Sequence, residues 1–429
     1  MQDPNRPVSR RALLKLMGAT GAAAALAASG RLPGGGPVSA GARAAVQGDP
    51  EPFEIRVSDE ALDDLRRRLA AARWPVDVPG VAWSYGTDRA YLEELVDYWR
   101  NDYDWRTHEA ALNAFDHYTT TVDGQRLHFV HQKGRGPSPF PLLMTHGWPG
   151  TIWEMLPSVT PLSDPAAHGG DAGDAFDVIV PSIPGFGFSG EPAAGTDIAR
   201  TAELWVALMD KLGYARFAAY GSDWGAGVTR HLGARFPDRL VGIHTPGSPG
   251  VLQREAETDE ERAYLERAQQ WSVDETGYQR IQGTKPQTLA YGLTDSPVGL
   301  AAWITEKLRS WSDSHGDVES RFTKDQILTL VSIYWHTNTI GTSVRYYYAN
   351  GLGSSRPRTP GGPVRVPEGY AEFLGNPFRN QIPRSFVAEL PDNVTHWSIF
   401  ESGGHFPAIE EPELLVSDLR TFFRPLRRP

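Results

Sequence analysis

The 429-residue sequence contains no cysteine. That absence excludes disulfides, zinc–thiolate sites, a lipoprotein anchor and a cysteine nucleophile together. Basic residues are not in excess: 42 Lys and Arg stand against 52 Asp and Glu, a formal charge of -10. Binding to nucleic-acid phosphates needs concentrated cations, so nucleic acid is not an expected partner. No predicted helix carries a paired-ligand motif such as H-E-x-x-H, and neither a metal nor another cofactor is expected. Long apolar runs are also missing. The most apolar stretch lies near the N-terminus and is too rich in Ala and Gly for a stable span, which takes about 20 strongly apolar residues.

That stretch belongs to an ordered set of parts. "SRRALLKLMGATGAAAALAAS" opens on Ser9-Arg10-Arg11, passes through Leu13-Leu14-Lys15 and runs into alanines, the layout of a twin-arginine export signal. Ala42-Arg43-Ala44 supplies an A-x-A cleavage site, so residues 1–44 are set aside and the mature chain is expected to start near Ala45 and to be exported. With 40% hydrophobic residues and 13 Trp, the remainder can bury a large core and line an apolar pocket.

After a linker at 46–53, Leu62, Leu65 and Leu69 recur at helical spacing behind a capping Ser58. Two more helical stretches rich in Trp and Tyr follow. Alternation around Asp123-Gly124 predicts a β-hairpin. Short apolar strands then alternate with helices: "PFPLLM", "FDVIVP", "RFAAYG", "RLVGIHTPG", and finally "GPVRVPEGY" and "VTHWSIF". This order predicts a parallel sheet with helices on both faces. About ninety mainly helical residues interrupt it. The expected architecture is an N-terminal helical region at 51–135, an α/β core at 136–249 and 351–429, and an inserted helical cap at 250–350.

The chemistry centres on Gly221-Ser222-Asp223-Trp224-Gly225, between a predicted strand and a predicted helix. Small residues around one polar residue are how a strained elbow presents a nucleophile. Here the centre is a carboxylate, Asp223, whose bland alternative is a helix N-cap. An earlier strand ends in His146-Gly147-Trp148-Pro149, a turn suited to an oxyanion hole, with the N–H groups of Trp148 and Trp224 as donors. His405 follows the last strand behind Gly403-Gly404, where a late histidine belongs in this order. His128, His131 and His244 lack such framing and read as structural. A carboxylate nucleophile attacks sp³ carbon and leaves an ester whose acyl group belongs to the enzyme. Water must then attack that ester, which requires the histidine and the oxyanion donors. Epoxides and haloalkanes are the substrates that fit.

Nearly the whole mature chain resembles an epoxide hydrolase of the microsomal and juvenile-hormone type. The resemblance rests on "RWP" at 73–75, "YWRNDYDWR" at 98–106, "HGWPG", "PSIPGFGFS", "GSDWG", "GYQRIQGTKPQTLAYGLTDSPVGLAAWITEK", "YWHTNTIGTSVRYYYAN" and "GGHF…EEPEL". It implies an α/β-hydrolase fold with a helical cap and an N-terminal meander. It also implies two cap tyrosines that hold and protonate the epoxide oxygen, matching Tyr278 and Tyr347, with Tyr346 and Tyr348 as near neighbours of the second. The family's relay acid is replaced by Asn376, with Glu368 and Glu372 nearby. An amide can fix the imidazole tautomer but cannot stabilise imidazolium by charge, so ester hydrolysis is the exposed half-reaction. Three readings stand: an epoxide hydrolase taking an apolar epoxide and water to a vicinal diol, a haloalkane dehalogenase, and an exported homologue whose catalysis has lapsed. Monomer and homodimer both stay open, as do detoxification and other physiological roles.

Overall fold

The computed structural model describes residues 48–247, 254–355, 362–376, 382–386 and 393–427. The export signal and its cleavage site lie outside the described residues. Three helices, α1 (Asp59–Ala70), α2 (Arg89–Asn101) and α3 (Trp105–Leu112), follow a two-residue strand β1 (Glu51–Pro52). Ser58 caps α1 by accepting from Ala61 N, and Leu62, Leu65 and Leu69 form its buried stripe.

Among the described residues the sheet has nine strands in the order β1-β2-β3-β5-β4-β6-β7-β8-β9. They are β1, β2 (His117–Val122), β3 (Gln125–Gln132), β4 (Phe140–Thr145), β5 (Phe176–Pro181), β6 (Phe217–Gly221), β7 (Leu240–Pro246), β8 (Glu368–Phe373) and β9 (Val394–Phe400). From β5 to β9 all neighbours run parallel, while β1, β2 and β3 join antiparallel. The sheet is therefore mixed rather than purely parallel, because the Asp123-Gly124 hairpin is built onto its edge. Asp123 and Gly124 both take positive φ, as a tight two-residue turn requires. The strand expected from "GPVRVPEGY" begins only at Glu368. Pro363 and Pro367 lack the N–H that a ladder needs, so pairing starts after them.

Helices α4 (Ile152–Ser163), α5 (Ile198–Lys211) and α6 (Trp224–Arg235) lie between the central strands in sequence. Among the described residues six α-helices separate β7 from β8: α7 (Asp259–Asp274), α8 (Gly277–Thr284), α9 (Pro286–Asp295), α10 (Pro297–Trp311), α11 (Lys324–Thr337) and α12 (Ile340–Ala349). The chain closes with α13 (Pro407–Glu410) and α14 (Pro412–Phe423). The N-terminal helices bind this inserted layer directly. Tyr98 donates to Asp325 at 2.8 Å, Tyr103 and Thr329 share a hydrogen bond of 3.1 Å, and Arg68 pairs with Asp295. A buried relay ties them to the core as well, from Leu112 O through His117 and His128 to Ser182 Oγ. No helix among the described residues is long and apolar enough to cross a membrane.

Candidate active site

The elbow is defined by how little room its backbone leaves. Asp223 sits at φ 49° and ψ -117°, a conformation that L-residues rarely adopt and that stores strain. A Cβ on Gly221 would lie 2.2 Å from Gly225 O, and one on Gly225 would lie 1.9 Å from Thr145 O. A Cβ on Gly147 would meet Asp223 Cβ at 2.3 Å. These three glycines let β4, β6 and the start of α6 close on one another.

Asp223 is the N-cap residue of α6 by position, yet its side chain caps nothing. Its Oδ1 instead accepts from Trp148 N at 2.9 Å, and its Oδ2 faces His405 Nε2 at 3.5 Å. The two carboxylate oxygens thus have different surroundings. Trp224 is the first residue of α6. First-turn N–H groups have no partner within a helix, and they lie at its positive dipole end beside the carboxylate.

His146 does not face the carboxylate. It is fully buried, with Nδ1 at 3.0 Å from Gly147 O and Nε2 accepting from Ile183 N at 3.2 Å, so it braces the turn from behind. Burial pushes it down to about 4, and it stays neutral near pH 7. His405 comes from the loop after β9. Its N–H donates to Trp311 O at 2.9 Å, and Glu410 accepts from Phe406 N and Asp313 N, both at 2.8 Å. Asp313 in turn accepts from Gly403 N at 3.1 Å. Two carboxylates therefore hold the loop that carries the histidine.

The roof is aromatic and comes from the inserted helices. Trp148 stacks on Tyr278 with centroids 5.6 Å apart and meets Tyr347 edge-on at 5.7 Å. Tyr347 also meets Trp224 at 4.8 Å, and Trp311 bridges Tyr278 to His405. Both phenols are pushed well above 10, first by burial, and the Asp223 charge pushes each in the same direction. They remain protonated donors across the ordinary pH range. The ring of Tyr346 also meets Trp224 edge-on, at 5.2 Å, but its hydroxyl bonds Thr201 at 2.8 Å, and Tyr348 is exposed.

Asn376 lies three residues beyond β8, where its N–H donates to Phe373 O at 3.1 Å. Strands β8 and β9 are parallel with Phe373 opposite Phe400, so the loops carrying Asn376 and His405 leave the same edge of the sheet. Glu368 is committed elsewhere, to Arg230 and the Tyr370 hydroxyl. Glu372 is buried within β8. Among the described residues one group has metal-ligand composition, His244, His396 and Asp418. Its atoms are joined instead by hydrogen bonds, His244 Nε2–Asp418 Oδ2 at 2.8 Å and His396 Nε2–Asp418 Oδ1 at 2.7 Å. His128 and His131 bond Ser182 and Tyr214 respectively.

Sequence reasoning missed Glu154. Its spacing from Thr151 is that of a capping box, S/T-x-x-E. Thr151 does cap α4 by accepting from Trp153 N at 3.3 Å, but the Glu154 carboxylate turns inward and takes the Ser222 hydroxyl at 2.8 Å. Only the tertiary fold brings Ser222 to it.

Two family models match the chain, "Epoxide hydrolase N terminus" over residues 50–155 and "alpha/beta hydrolase fold" over 141–278. A protein of Stigmatella aurantiaca is 44% identical over 380 residues, spanning 88% of this chain and 85% of that one. Epoxide hydrolase 1 of Sus scrofa is 34% identical over 400 residues, spanning 86% and 88%. The crystal structure of juvenile hormone epoxide hydrolase from the silkworm Bombyx mori superposes with a TM-score of 0.75 at 29% identity, covering 89% of this chain and 95% of that one. The chain belongs to the epoxide hydrolases of the α/β-hydrolase fold.

Proposed function

We propose that hydrolysis proceeds through a covalent ester on Asp223. Oδ2 attacks an epoxide carbon, the C–O bond of the ring breaks, and Tyr278 and Tyr347 donate to the oxygen that leaves. Water then gives a proton to His405 and adds to Asp223 Cγ. The oxyanion forms on Oδ1, under the N–H groups of Trp148 and Trp224. Collapse breaks the bond between Cγ and the alkylated oxygen, the released alkoxide takes up the proton from His405 to give the diol, and the proton left on the Asp223 carboxyl returns to the tyrosine that protonated the first oxygen.

One observation carries this reading. Oδ1 is engaged by a backbone donor at 2.9 Å while Oδ2 is left toward the histidine at 3.5 Å, so one oxygen is prepared for charge and the other for attack. The Tyr278–Trp148–Tyr347 contacts favour an epoxide over a haloalkane, because a departing halide needs no pair of phenol donors. The same aromatic walls suit an apolar epoxide. Asn376 is assigned to orient His405 without charge.

Intact-protein mass during reaction with an aryl epoxide, with diol quantified in the same samples, tests the scheme. Diol with little adduct means a competent relay. Adduct that builds up without diol means attack succeeds and Asn376 leaves His405 too weak to finish. Diol formed at an unchanged rate by D223N would refute the nucleophile. Export through the twin-arginine route is proposed from Arg10-Arg11 and the A-x-A site, and N-terminal sequencing of secreted protein would test it.

A further inference from the structure

The Glu154 carboxyl lies beneath the site at 2% exposure. It touches the two segments on which the Trp148–Asp223 contact depends. Ser222 Oγ donates to Oε1 at 2.8 Å, and Oε2 packs against Gly150 at the end of the oxyanion turn. Ser222 immediately precedes Asp223, and Gly150 lies two residues beyond Trp148. Room for this inward turn comes from Gly150, where a Cβ would lie 2.1 Å from Glu154 Oε2. The capping role that its spacing suggests has been given up for this position.

No cation compensates the carboxyl. It forms no salt bridge among the described residues, and the ionisable groups that act on it or that it acts on are Asp223, Glu410, Tyr220 and Tyr334. A buried carboxyl in that company is held neutral, and burial pushes it up to about 8. A charge placed there acts on only one of the two half-reactions. Ester formation discharges Asp223, so a second anion nearby does not oppose it. Ester hydrolysis creates an oxyanion on Asp223 Oδ1, and a second anion opposes that directly.

We propose that Glu154 is a positioning residue for the ester-hydrolysis half-reaction: as the neutral acid it joins the nucleophile elbow to the oxyanion turn, and its ionisation slows release of the ester while ester formation continues. This rests on the Asp223-ester reading.

The test is rapid quench with an aryl epoxide from pH 6 to 9.5, following adduct by intact mass and diol in the same samples, on the wild-type protein, E154Q and S222A. In the wild type the hydrolysis rate is expected to fall by about fivefold between pH 8 and pH 9, while the adduct-formation rate stays level, so adduct accumulates. E154Q cannot ionise, and its hydrolysis rate should be level over the same interval. S222A removes a hydrogen bond that favours the anion, so its decline should begin at higher pH, which keeps the test available if E154Q fails to fold. Glu410, pushed up to about 7, is intact in both variants, so its titration cannot account for a difference between them and the wild type. An alkaline decline that persists unchanged in E154Q, or one that affects adduct formation equally, overturns the proposal. Diol formed by D223N at the wild-type rate overturns the ester reading itself.

Discussion

Replacing Gly225 with alanine should damage both stability and turnover, by amounts that follow from the elbow. The new Cβ would lie 1.9 Å from Thr145 O, 2.6 Å from Thr145 C and 2.8 Å from His146 O. All three are backbone atoms, so no side chain can swing aside. Such contacts essentially never fall under 3.0 Å, so the start of α6 and the end of β4 must part by about 1.1 Å, the difference between 3.0 and 1.9. Overpacking of this kind costs about 1–3 kcal/mol, more where backbone must move. The same shift separates Asp223 from Trp148 N, and a misplacement of about 1 Å costs on the order of 10²-fold in rate. Gly292, in α9, is the control: nothing lies within 4 Å of its added Cβ and its φ is ordinary. G292A should be neutral or stabilising by about 0.4–1 kcal/mol, with turnover unchanged. Thermal melts and initial diol rates would measure both. A G225A protein with wild-type melting temperature and turnover would refute the packing argument.

Y278F and Y347F should each lower the ester-formation rate by on the order of 10²–10⁴-fold, whereas Y346F, whose hydroxyl is spent on Thr201, should stay near wild type; single-turnover adduct formation measures this. N376D should raise the ester-hydrolysis rate without changing ester formation, seen as a lower steady-state adduct, and an unchanged adduct level would remove Asn376 from the relay. Stability should peak near pH 6.5–7 and fall on both sides. His131, His146 and His336 are depressed to about 4, mainly by burial, so their contribution is complete above the unfolded value of about 6.5. It is lost as pH falls toward 4, by up to about 3 kcal/mol for a fully buried ring. Glu154 and Glu410 are raised to about 8 and about 7, so their contribution is lost as pH rises through those values. Melting temperature against pH checks both limbs, and E154Q should flatten the alkaline one.

Elements set by local pattern were legible in the sequence. The capped α1 stripe, the Asp123-Gly124 hairpin and the apolar central strands follow from periodicity and turn chemistry. The sheet order was not legible, because β5 lies between β3 and β4 by long-range pairing that no local signal records. Within the candidate site, Asp223, Trp148, His405, Tyr278 and Tyr347 were all named from motifs, and the fold brings them together. Tyr347 was named from its motif beside Tyr346, and the helix sets its ring against Trp148 and Trp224 while the Tyr346 hydroxyl bonds Thr201. His146 was grouped with the oxyanion turn, but both of its ring nitrogens serve the backbone. Glu154 was not singled out in the sequence, because its buried contact with Ser222 spans 68 residues and no local signal records it.

The central claim is that Asp223 supplies an oxygen to the product. A single turnover with enzyme in excess, run in oxygen-18 water, tests it most directly. The account predicts a first-turnover diol without label, and one labelled oxygen in the peptide that contains Asp223. Label in the first-turnover diol, with none in that peptide, would mean that water attacks the epoxide itself and would contradict the account.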